Sequence, residues 1–226
     1  MASSVESSGD PLAAELRGFG PIGLLAILVI AAGNFVFIPL SALLVLAWAW
    51  RSRTPWREIG YVRPKSWAAT IAIGIAFGIA LKFLMKAVVM PLLGADPINQ
   101  AYHYLAGNTA ALPWILYAVT IGAGFGEETL FRGYMFERLR KLFGAGAWVT
   151  PLIVVISALW FGLVHYSVQG VAGVQQATIV GLIYGGIFAI TGQIWMLMFA
   201  HAAFDLAAVA LIYWNLESDV AHLIFK

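Results

Sequence analysis

The chain has 226 residues, of which 62% are hydrophobic and only 11% charged, with a formal net charge of +2 and no cysteine. A soluble domain is about half apolar and about a quarter charged, so this composition excludes a water-facing globule. The small net charge argues against a nucleic-acid partner, and the lack of thiols removes disulfides, thiolate zinc sites and cysteine nucleophiles together.

Residues 1–20 read as a polar N-terminal tail of mixed charge, with Glu6, Asp10, Glu15 and Arg17. They lack the basic start of a signal peptide. The apolar run that follows is about 30 residues, against a signal-peptide core of roughly 7–15, and reads as a retained membrane segment.

A membrane helix needs about 20 mostly apolar residues. Six stretches meet that length, at roughly 21–50, 67–93, 112–136, 147–166, 174–191 and 193–215. The expected fold is all-α: a polytopic membrane helix bundle of about six transmembrane helices. Its membrane-embedded domain covers 21–215, and 216–226 follow as a C-terminal tail. The first stretch contains Asn34 and Pro39, and reads either as one long kinked helix or as two shorter passes. Arg51, Arg53, Arg57, Arg63 and Lys65 come next, with Trp48, Trp50, Trp56 and Trp67 around them. A basic loop flanked by tryptophans marks a cytoplasmic interface. Residues 94–111 carry Asp96 and no Lys or Arg, which places them on the opposite side; Arg138, Arg140 and Lys141 return to the cytoplasm. If residues 21–50 cross once, both termini lie outside the cytoplasm. The small size and the charge pattern point to a bacterial inner membrane.

Gly74 with Gly78, Gly122 with Gly126, and Gly181 with Gly185 are small-xxx-small pairs of the kind that let helices approach closely. Lys82 and Lys86, one turn apart on the second stretch, read first as snorkelling towards the outer interface. The alternative puts one of them in a cavity, pairing with a carboxylate or drawing in a substrate's terminal carboxylate.

A charge at mid-depth in hydrocarbon costs at least about 2.5–3.5 kcal/mol, yet three segments carry charges. The third has Gly126-Glu127-Glu128-Thr129-Leu130-Phe131-Arg132, the fourth ends in Phe161-Gly162-Leu163-Val164-His165, and the sixth carries His201-Ala202-Ala203-Phe204-Asp205. Glu128 and Arg132, four apart, share a helix face and can pair. Glu127 points about 100° away and is free to face something else. Counting about 1.5 Å per residue, Glu127, His165 and His201 lie roughly 21, 27 and 12 Å from the cytoplasmic ends of their helices. All three therefore fit inside one layer of about 30 Å and can converge on one polar pocket. A glutamate and histidines in such a pocket suit water activation, because a general base works best when its proton affinity matches the working pH. A histidine can share the water, ligate a metal, or donate to the oxyanion formed when water attacks an amide. No serine elbow and no His-Glu-x-x-His motif is present, so water attack is favoured over an acyl-enzyme. His103 and His222 read as solvated.

Glu127-Glu128-x-x-x-Arg132, Phe161-x-x-x-His165 and His201-x-x-x-Asp205, in this order on separate apolar segments, resemble the CPBP family. These are the CAAX-protease and bacteriocin-processing intramembrane peptidases, also called Abi proteins. Arg57-Glu58-Ile59-Gly60 is similar too, and the resemblance covers roughly residues 50–210. It implies an all-helical membrane endopeptidase acting on a peptide or protein that reaches the site from the bilayer. By motif, Glu127 and His165 would activate water, His201 and Asp205 would stabilise the oxyanion, and Glu128 and Arg132 would hold the first motif in shape. Asn is common in the family where this chain has Asp205; an ionised carboxylate can only accept. Asp205 would then orient His201, be protonated, or help bind a metal. Either no cofactor is needed, or a divalent metal such as zinc is held by Glu127, His165 and His201 in a metalloprotease version. A proton-coupled transporter and a non-catalytic scaffold or immunity factor are the readings from other classes.

Overall fold

The structure is a computed structural model and describes residues 10–225; Glu6 and the rest of residues 1–9 lie outside the described residues, as does residue 226. No strand occurs among the described residues, and the chain is a polytopic all-α bundle. The helices are α1 (Pro11–Arg17), α2 (Pro21–Ala32), α3 (Leu40–Arg51), α4 (Trp67–Leu92), α5 (Thr109–Phe143), α6 (Val149–Val164), α7 (Tyr166–Thr191), α8 (Trp195–Tyr213) and α9 (Glu217–Ala221). Four of these, α4, α5, α7 and α8, are long and apolar enough to cross a membrane, and α1 with α2 make a fifth candidate if their 59° bend is one broken span.

The stretch 21–50 is not one continuous helix but two, joined at residues 33–39. Its helices α2 and α3 have 12 residues each, about 18 Å, against a hydrocarbon layer of about 30 Å. They fold back on one another, and the two ends of the hairpin meet. Arg51 donates to Asp10 at 2.7 Å, Arg53 stands 3.8 Å from the same carboxylate, and the Trp48 indole donates to the Leu16 carbonyl at 3.0 Å. The bonded Arg51 guanidinium holds the Asp10 carboxyl below its ordinary range. The chain thus enters and returns on the side of the basic loop. Of the two readings of this stretch the pair of shorter helices is the one found, and it puts residue 10 on the same side as Arg51. At the hairpin tip, Asn34 and Ser41 exchange two hydrogen bonds of 3.0 Å, satisfying backbone groups where the helix is broken.

Both expected tails contain short helices. Residues 11–17 are helical, with Asp10 as the N-cap, and Arg138 donates to the Arg17 carbonyl at 3.0 Å. Residues 217–221 form α9, whose Glu217 is buried against Lys86 at 3.0 Å. Both helices are too short for hydrophobic periodicity to announce them. Among the tryptophans, Trp48 is a core residue rather than an interface anchor, packed edge-on against Tyr134, whereas Trp50, Trp56 and Trp67 face outward.

α8 is the central element and packs most extensively on α4 and α5. Glycines make this contact. A Cβ on Gly78 would sit 2.0 Å from the Ala200 carbonyl oxygen, and one on Gly124 2.9 Å from the Met198 carbonyl oxygen. Backbone therefore lies directly on backbone on both flanks of α8, and this brings α4 and α5 close to the turn that carries His201.

Candidate active site

The middle of α5, Ala118–Tyr134, is a π-helix of 17 residues. Its i→i+5 bonding puts more residues in each turn than the 3.6 of an α-helix. Residues four apart therefore come closer to eclipsing, which suits the Glu128–Arg132 pair. Arg132 donates to Glu128 Oε1 at 2.9 Å, and both side chains are almost fully buried, at 1% and 0% exposure. Arg132 also lies over the Phe161 ring, 4.6 Å from its centre, so its unbonded face meets π-electrons rather than lipid.

Glu128 does more than hold Arg132. The same Oε1 lies 2.7 Å from His201 Nδ1. A carboxylate paired with arginine accepts only, so Nδ1 carries a proton and donates. Nε2 is then the nitrogen turned to Glu127, 3.8 Å from its Oε2, and to Asp205, 3.7 Å from its Oδ2. Orientation of His201, which the sequence offered as a role for Asp205, falls to Glu128. Phe161 and Tyr184 flank the imidazole edge-on, with ring centres 5.9 and 5.7 Å away.

His165 ends α6, which has only 16 residues, and the next residue starts α7. The helix therefore stops at about 24 Å, leaving a partly buried His165 at the break between α6 and α7. Its Nδ1 is 2.7 Å from the Phe161 carbonyl, an obligate acceptor. Nδ1 therefore holds the proton, and in the neutral ring Nε2 keeps a lone pair. Phe161 touches both imidazoles, its ring centre 4.8 Å from that of His165. Gly170, at φ 61°, interrupts α7 one turn later.

Glu127, His165, His201 and Asp205 line one cavity of about 240 Å³, together with Asn34 and Ile38 of the hairpin tip. Glu127 Oε2 is buried and has no hydrogen-bond partner. Four of the six expected site residues thus share the cavity, and the remaining two, Glu128 and Arg132, stand behind His201. Among the described residues no group of three or more His, Asp or Glu side chains is placed to hold a metal ion. His103 and His222 are exposed.

Lys82 corrects the snorkelling reading. It is 6% exposed, lines the same cavity, and points its Nζ at Gln176 Oε1, 3.4 Å away, and at the Phe204 ring, 4.9 Å from its centre. Lys86 is also buried and is paired with Glu217. Sequence reasoning did not pick out Asn34, Asn99, Tyr102, Gln169 or Gln176 as cavity residues. Asn34 and Gln176 are neutral polar side chains on apolar stretches, common enough in membrane helices to pass without notice, and Asn99, Tyr102 and Gln169 lie between the stretches, where polar residues are expected.

The matching segment of known proteins covers this site. Residues 109–207 match the family described as type II CAAX prenyl endopeptidase Rce1-like. The segment is thus similar to the CPBP and CAAX proteases. It runs from the start of α5 into α8 and contains Glu127, Glu128, Arg132, His165, His201 and Asp205. No curated protein and no solved structure matches the chain.

Proposed function

We propose that this chain is an intramembrane endopeptidase in which Glu127, assisted by His165, takes a proton from water and directs the oxygen at a peptide carbonyl. The observation that carries the reading is the partnerless, buried Oε2 of Glu127, 3.8 Å from an imidazole whose other nitrogen is fixed by a buried carboxylate. A carboxylate with a free acceptor atom in a small polar cavity is suited to hold a water and then accept its proton. As the C–O bond forms, the carbonyl π-pair moves to oxygen. His201 Nε2–H, with Nδ1–H held by Glu128, would donate to that oxyanion. When the tetrahedral species collapses, the C–N bond breaks, and Glu127 returns its proton to the leaving amine. Asp205, as a carboxylate, cannot donate to the oxyanion; its place beside His201 Nε2 suits it to keep that nitrogen protonated. The similarity of residues 109–207 to the Rce1-like family supports peptide hydrolysis inside the bilayer and a membrane-associated peptide as substrate.

The test is Glu127→Gln in proteoliposomes with internally quenched peptides. The amide keeps the shape and loses the basic oxygen. Cleavage should fall by roughly 10²–10⁴-fold, the usual worth of general acid–base catalysis, with thermal unfolding unchanged. Wild-type rates from this variant would end the proposal. In the metal-free form of this reading cleavage survives dialysis against a chelator, with metal content read in parallel; loss of cleavage that zinc restores would assign the metal-dependent form.

A further inference from the structure

The catalytic cavity occupies one half of the bundle. The basic loop 51–65 precedes α4, and Arg138, Arg140 and Lys141 lie in the last turns of α5. The α7–α8 connection joins the same side, because the Ile194 N–H donates to the Gly60 carbonyl at 3.0 Å. Thus α4, α6 and α8 start at the basic end, and α5 and α7 finish there. The cavity is lined by the opposite halves: Lys82 in the second half of α4, Glu127 and residues before it on α5, Phe161 and His165 at the end of α6, and residues between 201 and 212 on α8. Towards the basic end the bundle is closed. Phe136, Ile153, Tyr184, Phe188, Ile194 and Leu197 belong to one core cluster and are each 4% exposed or less. Packing at interior density leaves no room for a peptide between them.

An extended peptide carries unpaired N–H and C=O groups that hydrocarbon does not satisfy, so it needs a polar path to Glu127. That path leads away from the basic loops. On that side the cavity adjoins a vestibule of about 780 Å³, and Lys82, Asn99, Gln169, Gln176 and Ala208 line both spaces. Residues 95–101 and the region of α9 form its rim, with the exposed side chains of Asp96, Gln100 and His222. Specific bonds hold this rim. The buried Lys86 ammonium stands 3.0 Å from Glu217 Oε1 and also donates to the Pro97 carbonyl, while the same Oε1 accepts the Asn99 N–H at 3.1 Å. In this way α4, the α4–α5 loop and α9 are joined around the mouth. Polar groups therefore run from the exposed Asp96 and Gln100 down to Glu127.

We propose that the catalytic cavity is served from the face opposite the basic loops, so that the substrate is a polypeptide whose scissile segment is exposed on the non-cytoplasmic side of the membrane. This rests on the hydrolytic reading of the Glu127 site, and the side is set by the excess of Lys and Arg on cytoplasmic loops. A segment confined to the cytoplasm would meet the packed end of the bundle instead.

Single cysteines test access without requiring cleavage, since the chain has none of its own. Ala208→Cys adds only a sulfur where cavity and vestibule meet, and the exposed Lys65→Cys marks the basic face. In sealed vesicles that keep the cellular orientation, an impermeant maleimide added outside should modify Ala208→Cys and leave Lys65→Cys unmodified until detergent is added. Modification of Lys65→Cys from outside overturns the proposal. So does modification of Ala208→Cys only from inside, or from neither side while Gln100→Cys reacts. Impermeant, internally quenched peptides that the wild type cleaves in detergent then test the substrate side. The same vesicles should cleave them, and inverted vesicles should lose that cleavage until detergent is added. Cleavage by inverted vesicles at an equal or higher rate overturns the proposal. If no peptide is cleaved even in detergent, the hydrolytic reading falls, while the labelling still decides which face the cavity serves.

Discussion

A single carboxylate oxygen, Glu128 Oε1, takes hydrogen bonds from both Arg132 and His201. That convergence separates stability from chemistry at one residue. Glu128→Gln leaves the Arg132 guanidinium buried with no anion, a loss of roughly 3–5 kcal/mol for one broken partner of a buried pair. Adding Arg132→Met removes the stranded charge and should restore most of the thermal stability in detergent. It should not restore cleavage, because the neutral amide no longer fixes the proton on His201 Nδ1. If the double variant recovers both, Glu128 is scaffolding alone. The residue types at the site were legible in sequence, since ionisable groups on apolar segments are conspicuous. Their division of labour was not. Helical spacing pairs Glu128 with Arg132, but the contact with His201 joins positions 73 apart in sequence. Lys82 shows the same limit: snorkelling is the usual fate of a lysine near a helix end, and its actual neighbours, Gln176 and Phe204, come from α7 and α8.

At the level of helices, the site depends on how near α4 and α5 come to α8. Gly78 lies on the residue before His201, with no room for a methyl group 2.0 Å from a carbonyl oxygen. Gly78→Ala should therefore push α4 outward, costing about 1–3 kcal/mol or more as overpacking does, and should lower cleavage along with stability. Gly186, also on a helix, has open space where its Cβ would be. Gly186→Ala should leave the melting temperature unchanged or raise it, since alanine is favoured over glycine in helices by up to about 1 kcal/mol. Equal effects at the two positions would mean that backbone proximity does not set the bundle. Small-xxx-small spacing nominated Gly74 and Gly78 correctly but gave no partner helix. The π-helical middle of α5 was not legible either: hydropathy reports an apolar length, and the extra residue in each turn leaves no mark on composition.

For the molecule as a whole, the feature least legible in sequence is the topology of residues 21–50, left open there between one kinked helix and two shorter ones, and this has a physical source. Hydropathy sums transfer free energy along the chain and is blind to direction, so a hairpin of two half-length helices gives the same 30-residue apolar run as a long crossing helix. What decides between them is where the ends go. Here Asp10 binds Arg51 and Arg53, and α1 returns its Leu16 and Arg17 carbonyls to Trp48 and Arg138. The hairpin tip has a use, because Ile38 seats against Gly122 and Pro39 against Gly126, directly before Glu127. Asn34 and Ile38 then wall the cavity that a free bilayer would otherwise reach. The natural absence of cysteine makes this arrangement testable by single-cysteine labelling. Glu15→Cys and Lys65→Cys should react with a membrane-impermeant maleimide from the same side of sealed vesicles, and Tyr104→Cys from the other. All three positions are exposed in the structure. Labelling of Glu15→Cys together with Tyr104→Cys, and opposite to Lys65→Cys, would require residues 21–50 to cross the bilayer. The hairpin could not then stand beside Glu127 as the wall of its cavity.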